Sequence, residues 1–389
     1  MPDRFAPPRR RPPPPRGLAP RALSRTPRLL SALLLSLLAT AALAEERVRI
    51  GVASGLALVQ VSGPGLAATA LRDGAAARPS AGERAEVRLV GDELLLDGAP
   101  LDGAGVTFTA GGPIRCAGRL LSGEVEVRRA AGGLAVIDAL PLEDYVAAVA
   151  GAEMPPAFPL EALKAQAVAA RSYALSRKLE AVEEGRDYDL GATVLSQVYP
   201  GQAVDPRARA AAAATAGEVL VKDRRPAEAY FHSTCGGRTE RGLDALGRDL
   251  DYLVSVECGR CGASPKATWR LRLRADELAL LADLPGRASG LLVIERTRAG
   301  RASRVEVRAG KSRTRLTAVD LRQRLGYERL PSLWFSVKAT GGAFVLTGRG
   351  SGHGGGLCQW GAAGWARAGA DHREILRRYY PGTEIVKMY

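Results

Sequence analysis

The N-terminal third of the chain alternates apolar and polar residues in short runs. Between Arg47 and Val136 these runs are separated by Gly, Pro, Asp and Ser, and they read VRIGVA, AEVRLV, ELLLDG, GVTFTA, EVEVRR and LAVIDA. A period of two predicts antiparallel strands with one buried face. We therefore expect a β-rich region over residues 45–135, in which Cys116 is a small buried apolar residue and no chemistry is evident.

The pattern becomes helical in the stretch LPLEDYVAAVAGAEMPPAFPLEALKAQAVAARSYAL. It predicts a short helix from Pro141 that Gly151 and then Pro155 and Pro156 end, a short connection between these helix breakers, and a longer helix over residues 159–183. Glu153 falls on that connection. The next predicted helix is shorter, with Asp205 as its N-cap.

Strands again dominate residues 266–347, around one capped helix from Thr317 to Arg324. This arrangement of strands around a helix predicts a second α+β unit. The tail, residues 348–389, opens as a glycine-rich loop and continues into a helix that Asp371 and Glu374 begin with a capping box. The predicted fold class is α+β, with a mixed helix/strand core over residues 136–265 that the tail completes.

The first 44 residues differ from the rest. Met1–Arg28 contains eight Arg and one Asp, Leu29–Leu38 contains only Leu, Ala and Ser, and small residues stand at Ala42 and Ala44. A basic region, an apolar region and small residues are the three parts of a secretory signal peptide. The apolar run is shorter than the ~20 residues of a membrane span. We expect residues 1–44 to be removed on export; an uncleaved membrane anchor is the alternative.

Half of the formal net charge of +14 lies in this leader, so +7 remains for the rest of the chain. A mildly basic protein can be drawn to an anionic polymer such as a cell-wall glycan. Nucleic acid is excluded as a partner because basic residues such as Arg270, Arg272 and Arg274 follow strand spacing and do not cluster with aromatic residues.

Glu153 is the first candidate for chemistry. Met154, Pro155, Pro156 and Phe158 flank it and would partly exclude water. Desolvation favours the neutral acid and raises a carboxyl pKa toward the value of a general acid near neutral pH. A helix cap or an ordinary surface residue is the alternative interpretation.

A second candidate is the set His232, Cys235, Cys258 and Cys261. The C-x-x-C pair supplies half of a tetrahedral zinc site, and the histidine and cysteine three residues apart can supply the other half. Because export favours oxidation, a disulfide between Cys235 and one of the pair is the rival interpretation.

The third candidate is GRGSGHGGGLCQWGA, whose glycines allow backbone N–H groups close to a ligand, with His353 and Gln359 as the useful side chains. No Lys-Ser/Thr pair follows the glycines, so a phosphate-binding loop is excluded. A structural role for His353 is the alternative.

Together, the stretch around Glu153, YFHSTCGGRTE and GRGSGHGGGLCQWGAAGWARAG resemble the SpoIID/LytB family of peptidoglycan-acting proteins, over residues 136–389. The resemblance implies a lytic transglycosylase that cuts glycan strands stripped of their stem peptides. Glu153 falls on the family's catalytic glutamate. It would protonate the glycosidic oxygen and then accept the proton of the muramic hydroxyl that closes the anhydro ring.

The resemblance also implies zinc beside the active site, held by Cys235, Cys258, Cys261 and His232, although the ligands vary among members. Arg238 stands where relatives have another histidine, which weakens His232 as the fourth ligand. Cys358 replaces the family's serine, and a serine substitute, a disulfide partner and a metal ligand are its alternatives. The residues predicted to contact the glycan are Arg171, Tyr173, Ser233, His353, Gln359 and Trp360.

Two other functions stay open. The first is a non-catalytic glycan-binding or amidase-enhancing module, with a cell-wall amidase as its partner. The second is a zinc-dependent hydrolase, which three cysteine ligands disfavour because they suit a closed structural site. Each function implies an exported protein associated with the cell wall, in the periplasm or outside the cell.

Overall fold

A computed structural model describes residues 45–71, 82–192, 197–203 and 205–389. The predicted signal peptide lies outside the described residues. Over the described part the fold is mixed α+β, as expected. No helix in these ranges is long and apolar enough to cross a membrane.

The N-terminal region consists of strands that form two antiparallel sheets around one core. The strands are β1 Arg47–Leu56, β2 Leu58–Ser62, β3 Ala67–Ala70, β4 Arg84–Val90, β5 Glu93–Leu96, β6 Ala99–Pro100, β7 Gly105–Thr109, β8 Ile114–Cys116, β9 Arg119–Leu121, β10 Glu124–Ala130 and β11 Gly133–Pro141. Among the described strands one sheet has the order β12-β1-β11-β10-β7-β3, where β12 (Leu190–Gly191) joins in parallel, and the other has the order β6-β5-β4-β2-β8-β9. Cys116 lies in the core between them, and burial raises its pKa to about 12.

The helical core follows directly from β11. Its elements are α1 Leu142–Glu153, α2 Leu160–Glu183, α3 Pro206–Ala214, β13 Glu218–Lys222, β14 Arg225–Pro226, β15 Phe231–His232 and α4 Gly242–Leu246. The predicted bounds of α2 are confirmed to within a residue, and Asp205 caps α3 by accepting a hydrogen bond from the backbone N–H of Arg207.

Helix α1 is longer than predicted and includes Glu153 as its last residue. One glycine costs a helix only about 1 kcal/mol, and here Gly151 permits close packing. A Cβ on Gly151 would lie 3.2 Å from the Cβ of Asp205 and 3.3 Å from that of Ala208. The helix therefore ends at Glu153, with Met154 as its C-cap just before the two prolines, and the placement of Glu153 on the connection is corrected.

Residues 266–347 form elements around a core of their own. They are β16 Trp269–Arg274, α5 Ala275–Leu281, β17 Gly290–Arg296, β18 Ala302–Ala309, β19 Ser312–Thr317, α6 Ala318–Leu325, β20 Phe335–Thr340 and β21 Ala343–Gly348. Thr317 caps α6 as predicted, by accepting from the N–H of Asp320. The sequence pattern did not predict α5, which is short, or β19, none of whose residues is fully buried.

The C-terminal segment returns to the helical core. Its elements are β22 Leu357–Cys358, α7 Gln359–Arg367, α8 His372–Tyr379 and β23 Glu384–Lys387. Strand β22 pairs in parallel with β15, and β23 pairs with β13. The capping box of Asp371 and Glu374 is confirmed.

Half of the glycine-rich stretch is helical, which the sequence reading did not predict. In α7, a Cβ on Gly361 would lie 2.4 Å from the Sγ of Cys258, and one on Gly364 would lie 2.2 Å from the backbone oxygen of Arg260. These glycines therefore allow close approach to neighbouring backbone and sulfur atoms, rather than a mobile loop.

Candidate active site

Glu153 is held at the C-terminal end of α1 by donors from two distant segments. Its Oε1 accepts from the backbone N–H of Val198 at 3.0 Å, and its Oε2 accepts from Nε2 of Gln359 at 3.3 Å. The residue keeps partial exposure. Burial raises the pKa of Glu153, and the two donors only partly oppose that shift. The carboxyl is thus both reachable and inclined to keep its proton.

Apolar contacts hold the chain on the C-terminal side of Glu153. Met154 and Phe158 are buried in the same core cluster, and the ring of Phe158 meets that of Trp360 edge-on, with the centroids 4.9 Å apart. Trp360 therefore packs α7 against the end of α1. This contact gives Trp360 a packing role, and its predicted contact with glycan stays a prediction.

Gln359 bridges three helices. It lies at the start of α7 and is almost fully buried, and its Nε2 reaches both Glu153 and the Oε1 of Gln166 on α2, the latter at 3.4 Å. A side-chain amide has two N–H donors, so both contacts can be made at once. The structure therefore brings Gln359, a residue predicted to contact the glycan, into contact with Glu153.

Two buried amides beside Glu153 lack a hydrogen-bond partner for their nitrogens, those of Gln166 and Gln197. The Oε1 of Gln197 accepts from the hydroxyl of Tyr145 at 2.6 Å, so the Nε2 of Gln197 points away from that hydroxyl. An unsatisfied buried donor costs about 1–3 kcal/mol. A buried polar group without a partner is uncommon in a folded protein. Sequence reasoning missed Gln197, although a lone amide in the apolar run VLSQVYPG was an available signal.

The segment that carries Gln197 and Val198 is anchored to the N-terminal sheet. The hydroxyl of Tyr199 donates to Oδ2 of Asp138 on β11 at 2.6 Å, and the backbone N–H of Gly123 donates to Oδ1 at 3.1 Å. Asp138 is fully buried, and this burial raises its pKa to about 6. The β region thereby positions the backbone that contacts Glu153.

His353 and His232 both form hydrogen bonds with the backbone of Gly355. Nε2–H of His353 donates to the oxygen of Phe231 at 2.8 Å, and its Nδ1 accepts from the N–H of Gly355 at 3.1 Å. Nδ1–H of His232 donates to the oxygen of Gly355 at 3.0 Å. Burial lowers the pKa of both rings, for His353 to about 4. These contacts favour the structural interpretation of His353.

Three other residues that were predicted to bind glycan lie in different surroundings. Arg171 has no exposed surface, and its guanidinium donates to Glu143 and to two backbone oxygens. Tyr173 is buried edge-on against Tyr230, with the centroids 5.1 Å apart. Arg171 therefore ties α2 to α1 and has no free surface to offer a glycan. Ser233 is half-buried, and its backbone oxygen accepts from the N–H of Trp360 at 3.1 Å.

Four buried cysteines form one cluster behind the start of α7: Cys235, Cys258, Cys261 and Cys358. Their Sγ atoms all lie within 4.8 Å of one another, and those of Cys235 and Cys261 are 3.6 Å apart. A tetrahedral zinc with Zn–S bonds of about 2.3 Å separates its sulfurs by roughly 3.8 Å. The donor set therefore fits a closed, structural zinc site.

Cys358 completes this set in the position that the sequence reading assigned to His232. His232 is not part of the sulfur group. Backbone N–H groups support the sulfurs: Gly361 donates to Sγ of Cys358 at 3.3 Å, and Gly237 donates to that of Cys235 at 3.4 Å. Such donors commonly orient thiolate ligands. Every cysteine of the described residues is a free thiol, so the structure contains no disulfide there.

The fold and the site define a class of mixed α+β protein in which an amide from the C-terminal segment holds a partly buried glutamate. A family model described as "Stage II sporulation protein" (SpoIID) matches residues 130–221. The stage II sporulation protein D of Bacillus subtilis is 33% identical over 265 residues, which cover 64% of this chain and 75% of that protein. An uncharacterized protein of Brachyspira hyodysenteriae is 36% identical over 256 residues, covering 64% of this chain and 68% of its own length.

A third relative, the amidase enhancer of Bacillus subtilis, is 27% identical over 285 residues, which cover 60% of this chain but only 39% of that protein. The identity and coverage of the sporulation protein and the Brachyspira protein are sufficient for a family assignment. The chain belongs to the SpoIID/LytB family.

Proposed function

We propose that this protein is a lytic transglycosylase that cleaves the glycan strands of peptidoglycan. The observation that carries the proposal is the environment of Glu153, a partly exposed carboxyl whose pKa is raised by burial and which an amide and a backbone N–H hold in place. A general acid near neutral pH requires such a setting.

Glu153 would serve both proton transfers. In its neutral form it gives its proton to the glycosidic oxygen as the bond from the anomeric carbon to that oxygen breaks. The muramic C6 hydroxyl then attacks the anomeric carbon, and its proton returns to the carboxylate of Glu153. The products are a free hydroxyl end and a 1,6-anhydro end, no water is consumed, and the acid is regenerated.

Gln359 would keep the carboxyl oriented through both steps, since its Nε2 contacts Oε2 in either protonation state. Gln166 would in turn hold Gln359 in place, because its Oε1 accepts from the same amide at 3.4 Å. A one-carboxyl cycle suits this arrangement, because the donors to Glu153 are an amide and a backbone N–H rather than a second acid.

The test is digestion of purified glycan, both stripped of peptides and intact, followed by mass analysis of the new ends. Wild type should release anhydro ends, and Glu153→Gln should release at least a hundredfold fewer. Glu183→Gln, an exposed carboxyl in a surface ion pair with Arg225, is the matched control and should behave as wild type. New reducing ends would indicate hydrolysis instead, and the absence of cleavage by the wild type would refute the proposed enzymatic activity.

A second candidate is a non-catalytic module that binds glycan and stimulates a cell-wall amidase. The relative named amidase enhancer favours it. Stimulation of a purified amidase by Glu153→Gln as strongly as by wild type, without anhydro ends from either, would support this alternative. Both candidates imply export to the cell wall.

We also propose that Cys235, Cys258, Cys261 and Cys358 hold one structural zinc. When bound, the ion would cross-link the two turns that carry the first three cysteines to the N-terminus of α7. Metal analysis should find one zinc per chain, and thiol alkylation should be slow until a chelator is added. Absence of metal together with a mass loss that corresponds to disulfides would refute the site.

A further inference from the structure

A concave pocket of about 390 Å³ lies between the two cysteine-bearing turns and the second α+β unit. That volume is within the range of small-ligand sites. Residues of the turns form one side, and residues of the loops that follow β17, precede β20 and follow β21 form the other. The lining consists of Gly236, Gly237, Arg238, Glu257 and Gly259 on the first side, and Arg298, Ala299, Trp334 and Arg349 on the second.

The pocket has an excess of positive charge. Arg238 is paired with Glu257 at 2.6 Å. Arg298 and Arg349 are exposed, and within the described ranges neither guanidinium has a carboxylate partner or a hydrogen bond. Two unmatched cations in one concavity attract an anion and repel each other without one.

Arg349 is held in place without being neutralised. Its guanidinium carbon lies 3.6 Å from the ring centroid of Trp334, and its backbone N–H donates to the oxygen of Trp334 at 3.0 Å. The hydroxyl of Ser332 donates to the backbone oxygen of Arg349 at 2.7 Å. A stacked guanidinium loses little further entropy when it binds, and its N–H fork matches a carboxylate.

We propose that this pocket binds the lactyl carboxylate of a muramic residue in a peptide-stripped glycan, with Arg298 and Arg349 as its ligands. The choice of polymer rests on the proposed function. In a strand that still carries stem peptides, the same carboxyl is part of a neutral amide bond and offers no charge. The pocket would therefore distinguish stripped strands from intact ones.

One feature of the lining favours a single carboxylate over a more highly charged group. Glu257 on the rim would oppose a dianion such as a phosphate more strongly than a monoanion. In sequence, Arg349 immediately precedes the glycine-rich segment that leads to Gln359, and Gly236 follows Cys235.

The test is direct binding to the Glu153→Gln protein, which should not cleave its ligand. The probes are a stripped glycan tetrasaccharide and a chitin tetrasaccharide, which has the same length but no lactyl group. Arg298→Gln and Arg349→Gln should each bind stripped glycan roughly tenfold more weakly and bind the chitin probe unchanged. Arg313→Gln on β19 removes an exposed, unpaired charge elsewhere and should leave both affinities unchanged.

Equal affinity of the variants and the parent for stripped glycan would overturn the proposal, and so would equal weakening for both probes. Displacement of the glycan by a glycerol-phosphate polymer at lower concentration would overturn the choice of ligand. Because Arg349→Gln can disturb Trp334, the exposed Arg298 provides the test that a folding defect does not affect. If wild type cleaves no glycan but binding of stripped glycan still depends on Arg298 and Arg349, the carboxylate pocket is supported and the transglycosylase activity is rejected.

Discussion

The Nε2 of Gln359 lies 3.3 Å from Oε2 of Glu153, although 206 residues separate them in the chain. The contact joins the first residue of α7 to the last residue of α1, and Gln166 anchors the same amide from α2. The ionisation of Glu153 is therefore coupled to the position of the C-terminal segment.

The first prediction concerns this contact. Gln359→Leu removes a donor that favours the carboxylate, so the pKa of Glu153 should rise above its already raised value. The falling limb of the pH–rate profile, above which Glu153 has lost the proton that it must donate, should move to higher pH. The loss of a hydrogen bond to a charged group should lower kcat roughly ten- to hundredfold.

The measurement is kcat against pH on stripped glycan. Gln323→Leu makes the same chemical change at an exposed position of α6 and should leave the profile in place. A Gln359→Leu protein with lower kcat but an unshifted profile would contradict the proposed coupling.

The second prediction concerns the unpaired buried amide of Gln166. Gln166→Leu removes an unsatisfied donor from the core, so the free energy of unfolding should stay within about 1 kcal/mol of wild type or increase. Activity should nevertheless fall at least tenfold, because Gln359 loses the acceptor that anchors its amide. Urea unfolding and glycan digestion test the two halves, and a loss of stability with full activity would show that the amide is merely structural.

The third prediction concerns the cysteine cluster. Cys358→Ser removes a ligand from the proposed zinc site, so the zinc content after dialysis against a mild chelator should fall from about one per chain toward zero. Gln359 is the next residue, so cleavage should fall with the metal content. Cys116→Ala, in the core of the N-terminal region, is the control and should retain its zinc. A Cys358→Ser protein with full zinc content would exclude Cys358 as a ligand.

The fourth prediction concerns Asp138, whose pKa burial raises from 3.8 to about 6. The folded state then holds a proton that the unfolded state releases, so this group's contribution to stability is complete below pH 3.8 and is lost as the pH rises through 6. The difference corresponds to roughly 3 kcal/mol. Asp138→Asn cannot ionise, so its free energy of unfolding should improve relative to wild type by up to that amount between pH 4 and pH 6.5.

Tyr199→Phe provides the matched test of this assignment. It removes the hydroxyl that donates to Asp138, so the pKa of Asp138 should rise further and the loss of stability should extend to higher pH. Unfolding curves of the three proteins across this pH range are the measurement. Parallel pH dependence of wild type and Asp138→Asn would contradict the raised pKa.

Some of this structure was predictable because its causes are local. Asp205, Thr317 and Asp371 begin helices through hydrogen bonds to backbone N–H groups two or three residues away. Helix starts of this kind can be predicted from residues that are neighbours in the sequence. Proline likewise set the end of α1, although Gly151 did not, because a glycine stops a helix only when no packing partner favours its continuation.

The site depended on contacts that no local pattern contains. Sequence singled out Glu153 and three of the four clustered cysteines, since acidic and thiol side chains carry recognisable chemistry. It could not pair Glu153 with Val198, reveal that burial removes Arg171 from any open surface, or identify Cys358 rather than His232 as the fourth member of the sulfur cluster. The last of these arises when β22 pairs with β15 and brings Cys358 beside residues 231–235.

By itself, then, the sequence determined the longest helices, most of the strands and Glu153 as the leading candidate acid, because periodicity, caps and residue chemistry act over a few residues. Only the tertiary structure decided the environment of that acid and the composition of the cysteine cluster. The hydrogen bonds to Glu153 come from residues 45 and 206 positions away in the chain, and such segments meet only when the core closes around them.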